Sequence, residues 1–133
     1  MQLLAAYFGA AVAFVILDAL WLGFAAKNFY FTQLAGLLRE KPDFAVAAVF
    51  YVLYLAGVVY FAIMPALAGG GLVRALVNGA LFGFFAYMTY DMTNLATLKG
   101  YPPIVAAVDV AWGTFLTAAA ATAGYVAATR AGV

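Results

Sequence analysis

The sequence predicts an all-α integral membrane protein: a bundle of four transmembrane helices, with a short interfacial helix after the first. Three observations predict it. Hydrophobic residues make up 69% of the 133 and charged residues only 8%, against about 25% charged in an ordinary soluble domain. Four apolar stretches reach the roughly 20 residues needed to cross a ~30 Å hydrocarbon core. The connections between them carry Lys, Arg, Gly and Pro. A chain of this length has room for one domain, and a soluble one has too little interior to hide so much apolar surface. Lipid removes that problem because it is itself an apolar solvent.

The first span is expected over Leu3 to Ala26. It lacks the basic n-region of a secretory signal and is longer than a signal core, so it is expected to stay, although Phe24-Ala25-Ala26 would pass as a small-residue cleavage site. The connection from Lys27 to Asp43 carries Phe29, Phe31, Leu34, Leu37 and Leu38 before Arg39-Glu40-Lys41-Pro42-Asp43. That spacing predicts a short amphipathic helix at the interface, with Pro42 opening the next span. The second span is expected over Phe44 to Leu67, followed by a tight turn at Gly69-Gly70-Gly71. The third runs over Ala75 to Leu98 and the fourth over Pro102 to Ala128, joined by Lys99-Gly100-Tyr101-Pro102-Pro103 with proline at the start of the last helix. The stretches are too long for membrane strands and lack their period-two alternation. The whole chain, 1–133, reads as one transmembrane domain.

Composition excludes several functions. A net charge of +1 gives no clustered basic face for nucleic acid. The chain has no Cys and no His, which removes thiol chemistry, thiolate metal sites and the commonest general base and metal ligand near neutral pH. It has no Ser, leaving Thr and Tyr as the hydroxyl residues. No cofactor is specified, and no metal site can be demonstrated. The partner implied directly is the lipid bilayer. Lys27, Arg39, Lys41 and Lys99 flank one side of the spans and Arg74 and Arg130 the other, which favours cytoplasmic first and third loops and termini outside.

The informative residues are three carboxylates inside the expected spans, Asp18, Asp91 and Asp109. A carboxylate at mid-helix costs on the order of 2.5–3.5 kcal/mol on insertion scales, so such groups normally face the bundle interior and carry a function. Counted from the span ends at 1.5 Å per residue, each lies ~10–12 Å in from the side of the first and third loops. Other polar groups gather there. Tyr51 and Tyr54 lie ~10–15 Å from the same face. Tyr87, Asp91 and Asn94 share a stripe of the third span, with Tyr90 and Thr93 beside them. Asp18 and Asp109 are each followed three residues later by tryptophan, Trp21 and Trp112, which puts acid and indole on one helix face. The repetition hints at an inverted repeat.

Plainer readings stand beside this one. A single buried Asp can be protonated glue between helices, but three at one level exceed what glue needs. Trp21 near a helix end can be an interfacial anchor, whereas Trp112 lies too deep for that role. Gly79-x-x-x-Gly83 reads as a helix-packing contact, and Lys27 and Lys99 as snorkelling end charges long enough to reach an aspartate.

The runs Asp18-Ala19-Leu20-Trp21-Leu22-Gly23, Tyr87-Met88-Thr89-Tyr90-Asp91-Met92-Thr93-Asn94 and Asp109-Val110-Ala111-Trp112-Gly113 resemble the DUF2177 family of small bacterial predicted membrane proteins. The likeness covers nearly the whole chain, and the Tyr-Asp-x-Thr-Asn segment is its most specific part. It implies a multi-pass protein of the bacterial cytoplasmic membrane and no established activity.

Three acids without a demonstrable basic partner cannot all ionise in a low dielectric: they share protons, or a cation neutralises them. The first expectation is a protein that binds or transports a proton, cation or small cationic solute at Asp18, Asp91 and Asp109. Tyr51, Tyr54, Tyr90 and Asn94 would complete the hydrogen bonding, and Trp21 and Trp112 would wall the site through cation–π contact. The alternative is a membrane enzyme or accessory subunit acting on lipid, with the acids holding a Mg²⁺-type ion or one of them a general acid. No catalytic residue can be assigned to it, since the chain offers no nucleophile–base pair. The third reading is a structural helical subunit. A homodimer is natural for four short spans enclosing little volume, though the sequence does not demonstrate one.

Overall fold

The computed structural model describes residues 1–132, which are helical throughout apart from the connections. Helix α1 spans Gln2–Leu20 and continues through a wider π-helical turn, Trp21–Ala25. Helix α2 is short, Lys27–Gln33. Helix α3 covers Phe44–Val58 and runs on through π-helical turns at Val59–Ile63 and Ala66–Gly70. Helices α4, Gly71–Thr97, and α5, Pro103–Ala131, complete the chain.

Three helical stretches are long and apolar enough to cross a membrane: Gln2–Ala25, Phe44–Thr97 and Pro103–Ala131, with mean hydropathies of 2.2, 2.3 and 1.7. The 54 residues of the middle stretch would extend about 80 Å as one rod, far beyond a bilayer core. They do not form one rod. Gly69 has φ 129° and Gly71 φ 74°, conformations in which a Cβ would be strained. Past this break α4 folds back along the end of α3, and the Asn78 amide donates to the Phe61 carbonyl at 3.0 Å across 17 residues of sequence.

Helix α5 lies between α1 and α4, and α3 closes the bundle by packing on both of these outer helices. The reason is side-chain size. Of the ten buried residues of α5, seven are Ala or Gly, so neighbouring backbones approach closely on two of its sides. On one side Gly79 and Gly83 of α4 sit directly on Thr117, Ala118, Ala121 and the Gly113 carbonyl. On the other, Gly9, Ala6 and Ala10 of α1 meet Ala123, Gly124 and Ala127. The α1–α5 pair is antiparallel: Gln2 donates to the Ala128 carbonyl at one end, and the Trp112 indole reaches Asp18 at the other. The larger core residues Phe14, Leu55, Val58, Ile63 and Leu116 fill the remaining space.

Two local expectations need correction. The amphipathic segment is helical only over Lys27–Gln33, and its apolar residues do not share one face. Phe29 and Leu34, with Tyr30, pack on Tyr101, Val105 and Ala106, while Phe31, Leu37 and Leu38 point outward. The switch follows Leu34, where the chain leaves helical geometry and turns through Gly36 at φ 87°. Pro42 does not open α3. Asp43 is the N-cap, its carboxylate accepting from the Val46 amide at 3.2 Å, the arrangement that satisfies an otherwise orphaned donor. The proline at the start of α5 is Pro103, directly after the extended Pro102.

The α4–α5 contact yields a direct test. A Cβ at Gly83 would collide with backbone at Gly113 and with Thr117, whereas one at Gly23 meets open space. Gly83→Ala is expected to destabilise by about 1–3 kcal/mol through overpacking. Gly23→Ala is expected to stay within about 1 kcal/mol of the parent, on the stabilising side. Denaturant unfolding in detergent micelles measures both.

Candidate functional site

The three intrahelical aspartates are each held by neutral donors. Asp18, in the last turn of α1, accepts from Tyr51 of α3 at 2.5 Å and from the Trp112 indole of α5 at 3.3 Å. Asp109 of α5 accepts from Tyr30 of α2 at 2.8 Å, and Tyr30 in turn accepts from the Trp21 indole at 3.2 Å. Asp91 of α4 accepts from Tyr101 at 2.7 Å. Among the described residues the one ion pair is Arg39–Asp43, at 4.0 Å on the surface. Lys27 and Lys99 therefore do not neutralise the aspartates.

The two Asp-x-x-Trp segments cross. Because α1 and α5 run oppositely, the indole of each segment serves the acid of the other: Trp112 bonds Asp18 directly, and Trp21 reaches Asp109 through Tyr30. The two indoles stack with centroids 4.4 Å apart and planes within 9° of parallel. The π-helical turn that begins at Trp21 fits here, since an inserted residue at a helix end re-aims side chains and is frequent at functional sites.

Asp91 is fully buried, as among the described polar residues is Thr117. One of its oxygens, Oδ1, accepts the hydrogen bond from the Tyr101 hydroxyl; the other, Oδ2, has no donor among the described residues. The Asp109 carboxyl lies close enough to Asp91 to interact with it. Asp18 does not join this pair in a cluster. Among the described residues no group of three acids is placed to hold a metal ion. A chain of contacts runs from Asp18 through Trp112, Trp21 and Tyr30 to Asp109.

The remaining candidates divide. Tyr51 binds an acid, but Tyr54 hydrogen-bonds Thr117 at 2.8 Å instead. Tyr87 packs its ring over Gly113. Tyr90 is 60% exposed, and with Phe50, Ala86, Tyr87 and Asp109 it lines a cavity of about 310 Å³. Asn94 lies beside the Tyr90 and Tyr101 hydroxyls. Thr93 faces outward.

Tyr30 and Tyr101 are the residues that sequence reasoning missed. Both come from connections rather than spans, and both seat their hydroxyls on acids. Gly100 at φ 73° turns the chain so that Tyr101 points back into the bundle. Its signal was present in Gly-Tyr-Pro-Pro, a turn glycine followed by a bulky phenol ahead of rigid prolines. Burial is the first cause holding the proton on each phenol well above the ordinary tyrosine range. For Tyr101 the Asp91 carboxyl adds to it; for Tyr30 Asp109 adds to it against the opposing Trp21 indole.

The DUF2177 model, described as a predicted membrane protein, matches residues 3–126. The chain belongs to the DUF2177 family. No match is found among curated proteins or among solved structures. The match takes in α1 to α4, both Asp-x-x-Trp segments and most of α5.

Two outcomes follow from the hydrogen bonds. Tyr101→Phe leaves both Asp91 oxygens without a phenol donor and is expected to cost about 1–3 kcal/mol, against less than about 0.5 kcal/mol for Tyr90→Phe. Unfolding in detergent compares them. Because Tyr30 and Tyr101 hold their protons more tightly when folded, their contribution is complete below the ordinary tyrosine value near pH 10 and declines as pH rises above it. Melting temperature should therefore fall on the alkaline side of pH 10, and fall less steeply in Tyr30→Phe after correction for its lower starting stability.

Proposed function

We propose that the chain is a four-span protein of the bacterial cytoplasmic membrane whose intramembrane carboxyls bind a proton, with Asp91 and Asp109 as the proton-holding pair. The break at Gly69–Gly71 supports division of the long middle stretch into two spans, with α2 as a short interfacial helix. The basic residues Lys27, Arg39, Lys41 and Lys99 support cytoplasmic first and third loops and termini outside. The packing of α2 on the Tyr101 connection is consistent with both lying at one end of the bundle.

One observation carries the functional reading: a fully buried carboxyl with an oxygen lacking any donor, set beside a second carboxyl and without a cation. Two carboxylates at such separation in a low dielectric cannot both be charged, so the pair keeps a proton that it gives up when its surroundings allow. Helix packing alone would be served as well by Asn or Thr, without the insertion cost of an acid. A Mg²⁺-type ion asks for several oxygen ligands, and the acids do not assemble in threes among the described residues. Tyr30 at Asp109 and Tyr101 at Asp91 both come from connections on the loop side, which would make their hydroxyls the first partners on an exit that way.

A second reading has its own observation. The cavity beside Asp109 is walled by Phe50, Tyr87 and Tyr90, one acid among three aromatic rings, which suits a small organic cation through cation–π attraction.

Infrared difference spectra recorded across a pH step test the proton reading. The wild type is expected to show a carboxylic C=O band that disappears in both Asp91→Asn and Asp109→Asn and survives in Asp18→Asn. In each of the first two variants the new amide donates to the remaining carboxylate, so stability should stay within about 1.5 kcal/mol of the parent. A band that persists in both variants overturns the pair as proton holder. Protection of the cavity by tetramethylammonium, seen as a rise in melting temperature lost in Asp109→Asn, would favour the organic cation.

A further inference from the structure

A second hollow, outside the acidic site, lies where the end of α1, helix α2 and the chain from Leu34 to Pro42 meet. Its volume is about 550 Å³. Leu22, Phe31, Leu37 and Leu38 form its walls, and Lys27 and Arg39 supply its charge. The walls are 43–56% exposed, and none of the described residues covers them. The turn at Gly36 carries Leu37, Leu38 and Arg39 back toward Lys27.

We propose that this hollow binds the phosphate headgroup of an anionic membrane lipid, with the first part of an acyl chain along Leu22, Phe31, Leu37 and Leu38. Charge complementarity selects the occupant. The lining holds two cations and no carboxylate. Arg39 touches Asp43 only at 4.0 Å, with both side chains well exposed, a weak contact that leaves most guanidinium donors available. Arg and Lys together fit a phosphate, Arg through paired N–H donors and Lys as a point charge. A soluble anion would have no use for the apolar walls, and a neutral lipid none for the cations. Basic hollows at the cytoplasmic edge of membrane helices are suited to anionic headgroups, and a membrane protein meets such lipids wherever it sits. Tyr30 lines the same hollow and holds Asp109 through its hydroxyl, so an occupying lipid would touch the residue at the entrance to the acidic pair. The lipid assignment itself does not rest on the protonation reading.

Native mass spectrometry of the full chain released from detergent tests it, using phosphatidylglycerol and phosphatidylcholine with the same acyl chains, and separately inorganic phosphate. The wild type is expected to retain one phosphatidylglycerol in preference to phosphatidylcholine, and millimolar phosphate should not displace it. At about fivefold for each basic residue, Lys27→Gln with Arg39→Gln should reduce the preference roughly thirtyfold. The exchange Lys27→Arg with Arg39→Lys should keep most of it. Equal retention of the two lipids by the wild type overturns the proposal without need of any variant. So does displacement by inorganic phosphate, which would mark an anion site indifferent to the acyl chain, and so does an unchanged preference in the glutamine variant.

Discussion

The close approach of α5 to both α1 and α4 is the constraint on which the rest of the molecule depends. In lipid, apolar side chains gain little by leaving the solvent for each other, so helices associate through van der Waals packing and polar contacts that short side chains permit. Ala and Gly on α5 let Gly9 of α1 and Gly79 and Gly83 of α4 lie against its backbone. That proximity brings polar groups from three helices within hydrogen-bonding distance. Without it Asp18, Asp91 and Asp109 would each face hydrocarbon alone, an arrangement costing several kcal/mol apiece.

Given the close approach, antiparallel packing of α1 and α5 exchanges the partners of the two Asp-x-x-Trp segments. Trp112 caps Asp18, Trp21 reaches Asp109 through Tyr30, and the indoles fill the space between by stacking. Each indole thus has a polar end satisfied and an apolar face covered, the condition under which a half-buried Trp is stable. The acids are supplied with O–H and N–H donors in place of cations. Neutral donors orient a carboxyl without fixing its charge, and a group held that way can exchange a proton without leaving a bare cation buried opposite it.

Much of this was legible beforehand. The apolar stretches, the glycine turn at Gly69–Gly71 and the proline start of α5 follow from composition and local chemistry. Asp18, Asp91, Asp109 and Trp112 were identifiable because an acid or a deep indole in an apolar helix contradicts its surroundings. Tyr30 was not, because tyrosine in a connection near a membrane is ordinarily an interfacial anchor and nothing in its spacing distinguishes the inward case, and for Tyr101 the sole local signal was the turn glycine and the prolines around it. Tyr54 misled in the opposite direction: at the right depth, one turn from Tyr51, it turns to Thr117 because the α5 face opposite it carries a hydroxyl and not an acid. Depth can be counted along a helix; azimuth against a neighbour cannot.

The sequence by itself determined that the chain is an all-α membrane protein and that three acids and two tryptophans stand inside its apolar helices. Those facts depend on hydropathy, length and helical period, which are local. The tertiary structure decided the pairing: Asp91 with Tyr101, Asp109 with Tyr30, and Asp18 with Tyr51 and Trp112. These depend on the order and rotation of the helices, set by where small residues on one helix meet small residues on the next. No single segment contains that information.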